Sequence, residues 1–310
     1  TVSQDDHYQI KIVKKATDFS EVVLKYLESK ENVLVLVDTS LEKKFNLLKT
    51  LEMPQFSGKG NRIYVLTSAV PHQFRITIRQ KIKKQYLTNL VGMIPGKLKN
   101  DEYVIFSAHY DHLGIGKSDE KGDSIFNGAN DDASGVTAVI ALANYFSKIH
   151  NNERTLIFAT FTAEEIGEFG SAYFSEVLDP DKVIAMLNIE MIGTESKWGK
   201  NSAYISGYDR SDLGSILQKN LNNTQFKFYP DPYLEQQLFL RSDNASLAKR
   251  GVPAHSISTS KMDIEKYYHK QGDEIETLDL RNMTNIIRAI GLSAGTIISG
   301  KDTPTRVQME

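Results

Sequence analysis

Three short apolar runs are each followed within three residues by a group that can bind a proton or a cation. "YVIFSA" (103–108) is followed by His109, "TLIFATF" (155–161) by Glu164 and Glu165, and "IAMLNI" (184–189) by Glu190. Continuous apolar runs of this length, rich in β-branched and aromatic residues, read as strands buried on both faces. Two further strands are expected at 202–206 and 254–258. Between them come stretches of helical periodicity at 133–148, 170–177, 211–221, 243–250 and 279–299. Strands alternating with helices predict a three-layer α/β/α fold with a mixed, mostly parallel central sheet. In such sheets ligands bind outside the carboxyl ends of the strands, where these polar residues fall.

The first 70 residues are expected to form a small N-terminal α/β extension, with residues 71–310 as the main domain. "TDFSEVVLKYLES" and "LEKKFNLLKTLEM" read as helices, "NVLVLVD" and "GNRIYVLTS" as strands. From 73 to 96 a β-meander is expected to enter the main sheet. The basic run 79–84, "RQKIKK", alternates with apolar positions and reads as the solvated face of a strand. A formal net charge of −2 gives no global pull toward nucleic acid or an anionic membrane. No apolar run reaches the roughly 18 residues of a membrane span. The absence of cysteine removes disulfides, thiolate ligands and cysteine nucleophiles.

The polar residues at the strand ends have ordinary readings one at a time. His109 in "SAHYDH" could be a buried histidine, with Asp111 two residues on and on the same side of an extended chain. Asp131 and Asp132 precede an alanine-rich helix, where aspartate is a favoured cap, though a cap explains one of them more easily than both. Glu164 and Glu165 are adjacent, so an extended chain points them to opposite sides. Glu190 lies between Ile189 and Met191, where burial without a cation or several donors would be costly. His269 precedes the last helix. Together His109, Asp131, Glu165, Glu190 and His269 make two imidazoles and three carboxylates. That donor set suits catalytic zinc or a similar divalent ion, and five groups suit two ions sharing one carboxylate.

The segments "SAHYDHLG", "NGANDDASG", "TAEEIGEFGS", "LNIEMIG" and "YYHKQGDEIETLD" occur in the order found in co-catalytic zinc aminopeptidases. That family also includes glutamate carboxypeptidase-like enzymes and glutaminyl cyclases, and the resemblance covers roughly residues 85–299. It implies that His109 and Glu190 hold one zinc, Glu165 and His269 the other, and that Asp131 bridges them. Glu164 would be the general base, Asp111 the partner of the His109 ring, and Tyr268 a stabiliser of the tetrahedral intermediate. Two departures stand out: glutamate at 190 where many relatives have aspartate, and Asn244 where the stretch often reads Ser-Asp-His. The resemblance implies a peptide substrate and a periplasmic or secreted location.

Three functions compete. The first is a two-zinc aminopeptidase, with Trp198 a candidate pocket residue. The second is a glutaminyl-cyclase-like aminoacyltransferase with one zinc, and the third a binding module without chemistry. Cleavage at acidic C-termini would need a cationic pocket, for which Arg241 and Arg210 are the candidates. The N-terminal extension reads as a packing subdomain in preference to a reduced protease-associated insert.

Overall fold

The computed structural model describes residues 2–3, 7–27, 31–48, 60–70, 75–77 and 85–308. The chain divides into two compact units, Thr1–Gln85 and Tyr86–Glu310.

In the first unit a ribbon pairs β1 (Val2–Ser3) with a later strand, and a parallel three-stranded sheet follows. That sheet contains β2 (Gln9–Val13), β3 (Val33–Val37) and β4 (Arg62–Leu66), in that order, with α1 (Ala16–Leu27) and α2 (Glu42–Leu47) between them. β3 reads VLVLV and is buried throughout, as the central strand of a parallel sheet must be. Val13, Phe19, Tyr26, Val33, Val35 and Val37 form one cluster, Leu34, Leu36 and Ile63 another. The ribbon partner is β5 (Arg75–Ile76), which pairs antiparallel with β1. The expected meander over 73–96 is therefore corrected at its start. Ile76 packs with the Leu34–Leu36–Ile63 cluster, so this stretch serves the core of its own unit. The basic run 79–84 and the end of the second expected helix lie outside the described residues.

The second unit carries the large sheet. Its strands are β6 (Leu90–Ile94), β7 (Lys99–His109), β10 (Arg154–Phe161), β11 (Val183–Ile189), β12 (Ser202–Ile205), β13 (Lys227–Pro230) and β14 (Ala254–Ser258). A short antiparallel hairpin, β8 (Gly114–Ile115) and β9 (Ile125–Phe126), follows β7. Among the described residues the sheet order is β13-β12-β14-β11-β7-β10-β6. The pairs β14-β11, β11-β7 and β7-β10 are parallel; β6 joins the edge antiparallel to β10, and β12 is antiparallel to β14. The fold class is thus a mixed, mostly parallel sheet.

Helices cover both faces. Val104, Phe106 and Ala108 of β7 pack with α3 (Ser134–Ile149), α5 (Leu213–Asn220), α7 (Leu280–Ser293) and α8 (Gly295–Ile298). Ile105 faces the other way, toward α4 (Phe169–Val177) and α6 (Asn244–Ala248). Burying both faces explains why β10 is buried at every position. Arg154 opens that strand at 1% exposure. It is satisfied there by Glu102, the carbonyls of Ile297 and Asp302, and Thr303.

Candidate metal centre

The parallel order β11-β7-β10 sets three strand ends side by side. His109 is the last residue of β7, Glu190 follows β11, and Glu164 and Glu165 follow β10. Asp131 arrives from the turn before α3, and His269 from the loop after β14. The structure brings together all five groups expected as metal ligands. His109 Nε2 lies 3.1 Å from Asp131 Oδ1 and 3.3 Å from Glu190 Oε1. His269 Nε2 lies 3.3 Å from Asp131 Oδ2 and 3.1 Å from Glu165 Oε2. Each oxygen of Asp131 therefore faces its own histidine–glutamate pair.

The turn that presents Asp131 is stitched in place on two sides. Asp273 accepts the N–H groups of Asn130 and Asp131 at 2.8 and 3.0 Å. Asp132 accepts the N–H of Gly135 at the start of α3, and that of Met191 just past β11, both at 3.0 Å. Asp132 thus does the helix-end work foreseen for one of the pair, while one of its carboxylate oxygens also lies within 4.8 Å of donor atoms of His109 and Glu190. Ile192 and Gly193 donate to Ser134 and Asn130, extending the same seam.

Asp111 is placed differently from expectation. The ring of His109 donates its Nδ1–H to the main-chain carbonyl of Asp111 at 3.0 Å, while the Asp111 carboxylate stands 3.9 Å from it. That carboxylate is committed elsewhere, accepting the N–H groups of Glu164 and Glu165 at 3.1 and 3.3 Å. Asp111 holds the glutamate pair with its side chain and His109 with its backbone. With Nδ1 committed to that carbonyl, Nε2 is the ring nitrogen of His109 that faces the interior of the cluster.

Electrostatics mark this as a site built around positive charge. Burial pushes Glu164 up to about 10, and the charge of Glu190 adds to it. Burial alone would raise Asp131 too, but hydrogen bonds from His109 and His269 hold it well below the usual carboxylate range. Hydrogen bonds to Asp131 and Glu165 lift His269 to about 9. Burial works against a charged His109, yet the Glu190 charge and the Asp131 contact carry it well above the ordinary histidine value. Asp131 Oδ2 is buried without a well-aligned hydrogen bond. Metal–donor bonds of about 2.0–2.1 Å put neighbouring tetrahedral donors about 3.3 Å apart. The four nitrogen–oxygen separations above fall at that spacing, so the residues fit a pair of divalent ions.

A cavity opens beside the cluster, lined by Glu164, Tyr204, Arg241, Met262 and Tyr268 among others. Tyr268 stacks on His269 with centroids 3.9 Å apart, and burial pushes its hydroxyl up to about 12. Of the other residues singled out from sequence, Arg210 lies over the Phe239 ring and borders a different cavity. Trp198 stacks on Tyr229 at 4.1 Å and does not line this cavity. Asn244 is fully buried, bonded to Phe239, Ala254 and Ser256, and serves packing at this position. Ser242 donates to Glu190 Oε2 at 2.6 Å and leaves Oε1 toward His109.

Residues 89–293 match Peptidase family M28. The chain belongs to that family. A probable zinc metalloprotease of Pyrenophora tritici-repentis is 32% identical over 109 residues, covering 34% of this chain and 24% of that protein. Leucine aminopeptidase 2 of Trichophyton equinum is 28% identical over 240 residues, covering 67% and 44%. The chain thus spans less than half the length of these curated relatives. The zinc aminopeptidase BSAP of Bacillus subtilis superposes with a TM-score of 0.56 at 18% identity, over 69% of this chain and 51% of that one. Its likeness is one of fold. Several residues packed around the cluster were not singled out from sequence: His112, Ser242 and Asp273. His112 and Asp273 sit inside the quoted motifs, three residues after His109 and four after His269, and that spacing was the available signal.

Proposed function

We propose that this M28 chain is a two-zinc exopeptidase that removes N-terminal residues from peptides. One observation carries the two-ion reading: Asp131 divides its two oxygens between two histidine–glutamate pairs. His109 and Glu190 would hold one ion, Glu165 and His269 the other, with Asp131 common to both. Zinc is favoured by the descriptions of the matched relatives and by a donor set of imidazole and carboxylate. Bound there, the ions would supply Lewis acidity to the scissile carbonyl and acidify the attacking water.

The remaining work falls to residues on this chain. Glu164 borders the cavity, and neither ion pair in the cluster uses its carboxylate. It accepts the proton of the attacking water and returns it to the leaving amine. Positive charge at the two subsites would bring its proton affinity down from the level set by burial, so that one carboxylate can do both. The Tyr268 hydroxyl, kept protonated, donates toward the oxygen that gains charge as the carbonyl is attacked. Asp111 fixes the backbone of Glu164 and Glu165, which keeps the base and its neighbour in register.

The test is elemental analysis of the purified chain with hydrolysis of a panel of aminoacyl chromogenic amides. Two zincs per chain and cleavage abolished by chelation are expected. One zinc with cyclisation of glutaminyl peptides would replace this reading with the transferase. No metal and no turnover would leave a binding module.

A further inference from the structure

His112 lies against the candidate metal centre and has no part in the assignment above. Its side chain is 8% exposed. Its Nδ1 approaches Glu165 Oε1 to 2.6 Å, while Nε2 is buried without a hydrogen-bond partner. The ring stands edge-on to His269, centroids 5.8 Å apart. The seat is tight: Gly128 has φ +65°, and a Cβ there would come within 2.7 Å of His112 Cγ. Nδ1 of His112 also lies near enough to Asp131 and Glu165 for the three to share an ion, all within 4.8 Å.

Distance separates a ligand from a neighbour of a ligand. His269 stands 3.3 and 3.1 Å from the nearest oxygens of Asp131 and Glu165, the spacing of co-ligands on one ion. His112 stands 4.0 Å from Asp131 and 2.6 Å from Glu165. The shorter is a hydrogen bond and is too close for two donors on one tetrahedral centre. A carboxylate only accepts, so Nδ1 of His112 donates. Glu165 then has one oxygen occupied by His112 and the other free toward His269. Glu190 has the same arrangement, with Ser242 on Oε2 and Oε1 toward His109.

We propose that His112 is a positioning residue for the Glu165–His269 subsite: by donating to Glu165 Oε1 it aims Oε2 at the second cation. It therefore governs affinity at that subsite and leaves the His109–Glu190 subsite alone. The inference rests on the two-ion reading. The test titrates zinc into the metal-free full chain against a chromogenic chelator, for wild type, His112→Ala and His112→Asn. Asparagine can place an amide donor near the position of Nδ1, so it serves as the conservative rescue. In His112→Ala the first zinc should bind as in wild type and the second some 10–100-fold more weakly, the usual range for loss of such a partner. His112→Asn should recover most of that loss. Two zinc isotherms unchanged in His112→Ala, an equal loss at both subsites, or no recovery in His112→Asn would each overturn the inference while two zincs in wild type uphold the two-ion reading. A wild type that takes one zinc overturns that reading itself.

Discussion

Glu164 separates binding from turnover most cleanly at the residue scale. Glu164→Gln keeps the shape and touches none of the five donors. It should retain two zincs by elemental analysis and lose about 10²–10⁴-fold in kcat, the range for removal of a general base. Asp131→Ala is the opposite case, since in the proposed two-ion site one carboxylate serves both subsites; it should leave both empty in the same analysis. His255 gives a residue-scale prediction away from the candidate metal centre. It is 1% exposed, donates from Nδ1 to the carbonyl of Ser206, and meets the Ser211 hydroxyl at Nε2. Burial pushes it down to about 4, and Arg210 adds to the effect. The folded chain therefore refuses a proton that the unfolded chain takes up below about 6.5. Stability present above that pH should be lost as pH falls toward 4, by roughly 3 kcal/mol. Melting curves over that interval should fall more steeply for wild type than for His255→Asn.

Among elements, the turn between Asn127 and Ser134 matters most, because it carries Asp131 without being held by the sheet ladder. Its position comes from Asp273 on one side and from the segment after β11 on the other. Asp273 belongs to the loop that also carries His269, so one carboxylate ties together the donors of the second subsite. Asp273→Asn keeps one acceptor and turns the other into a donor facing an N–H. A loss of roughly 1–3 kcal/mol is expected from denaturant melts, with weaker zinc binding in the same variant. Denaturation indistinguishable from wild type would show that the turn is held by its other contacts.

The whole second unit should respond to metal as a single body. The five donors come from the ends of β7, β10 and β11, the turn before α3 and the loop before α7, so bound ions would cross-link segments far apart in sequence. Ligand that binds only the folded state stabilises by mass action, about 2.7 kcal/mol at a hundredfold excess over Kd. Removing metal with a chelator should lower the melting temperature by roughly 5–10 °C, and added zinc should restore it. A melting temperature indifferent to chelation would mean that the ions do not bridge these elements.

Residue order alone determined a great deal here. Apolar runs with helices between them indicated the central strands and the covering layers, because a strand buried on both faces must be apolar along its length, whereas the short edge strand β13 was not foreseen. Donor type pointed to a cation site, because two imidazoles and three carboxylates at strand ends and in the loops beside them have few other uses. Pairing was decided only in three dimensions. Nothing in "SAHYDH" says that the Asp111 carbonyl, and not its carboxylate, meets His109, or that His112 reaches Glu165 fifty-three residues on. Nor does Asn244 announce that it is bonded into the core behind the cavity. Such partners depend on which strand ends become neighbours, and the order β14-β11-β7-β10 is settled by packing and crossover connections. Local sequence carries the identity of each group, whereas the distance between groups belongs to the fold.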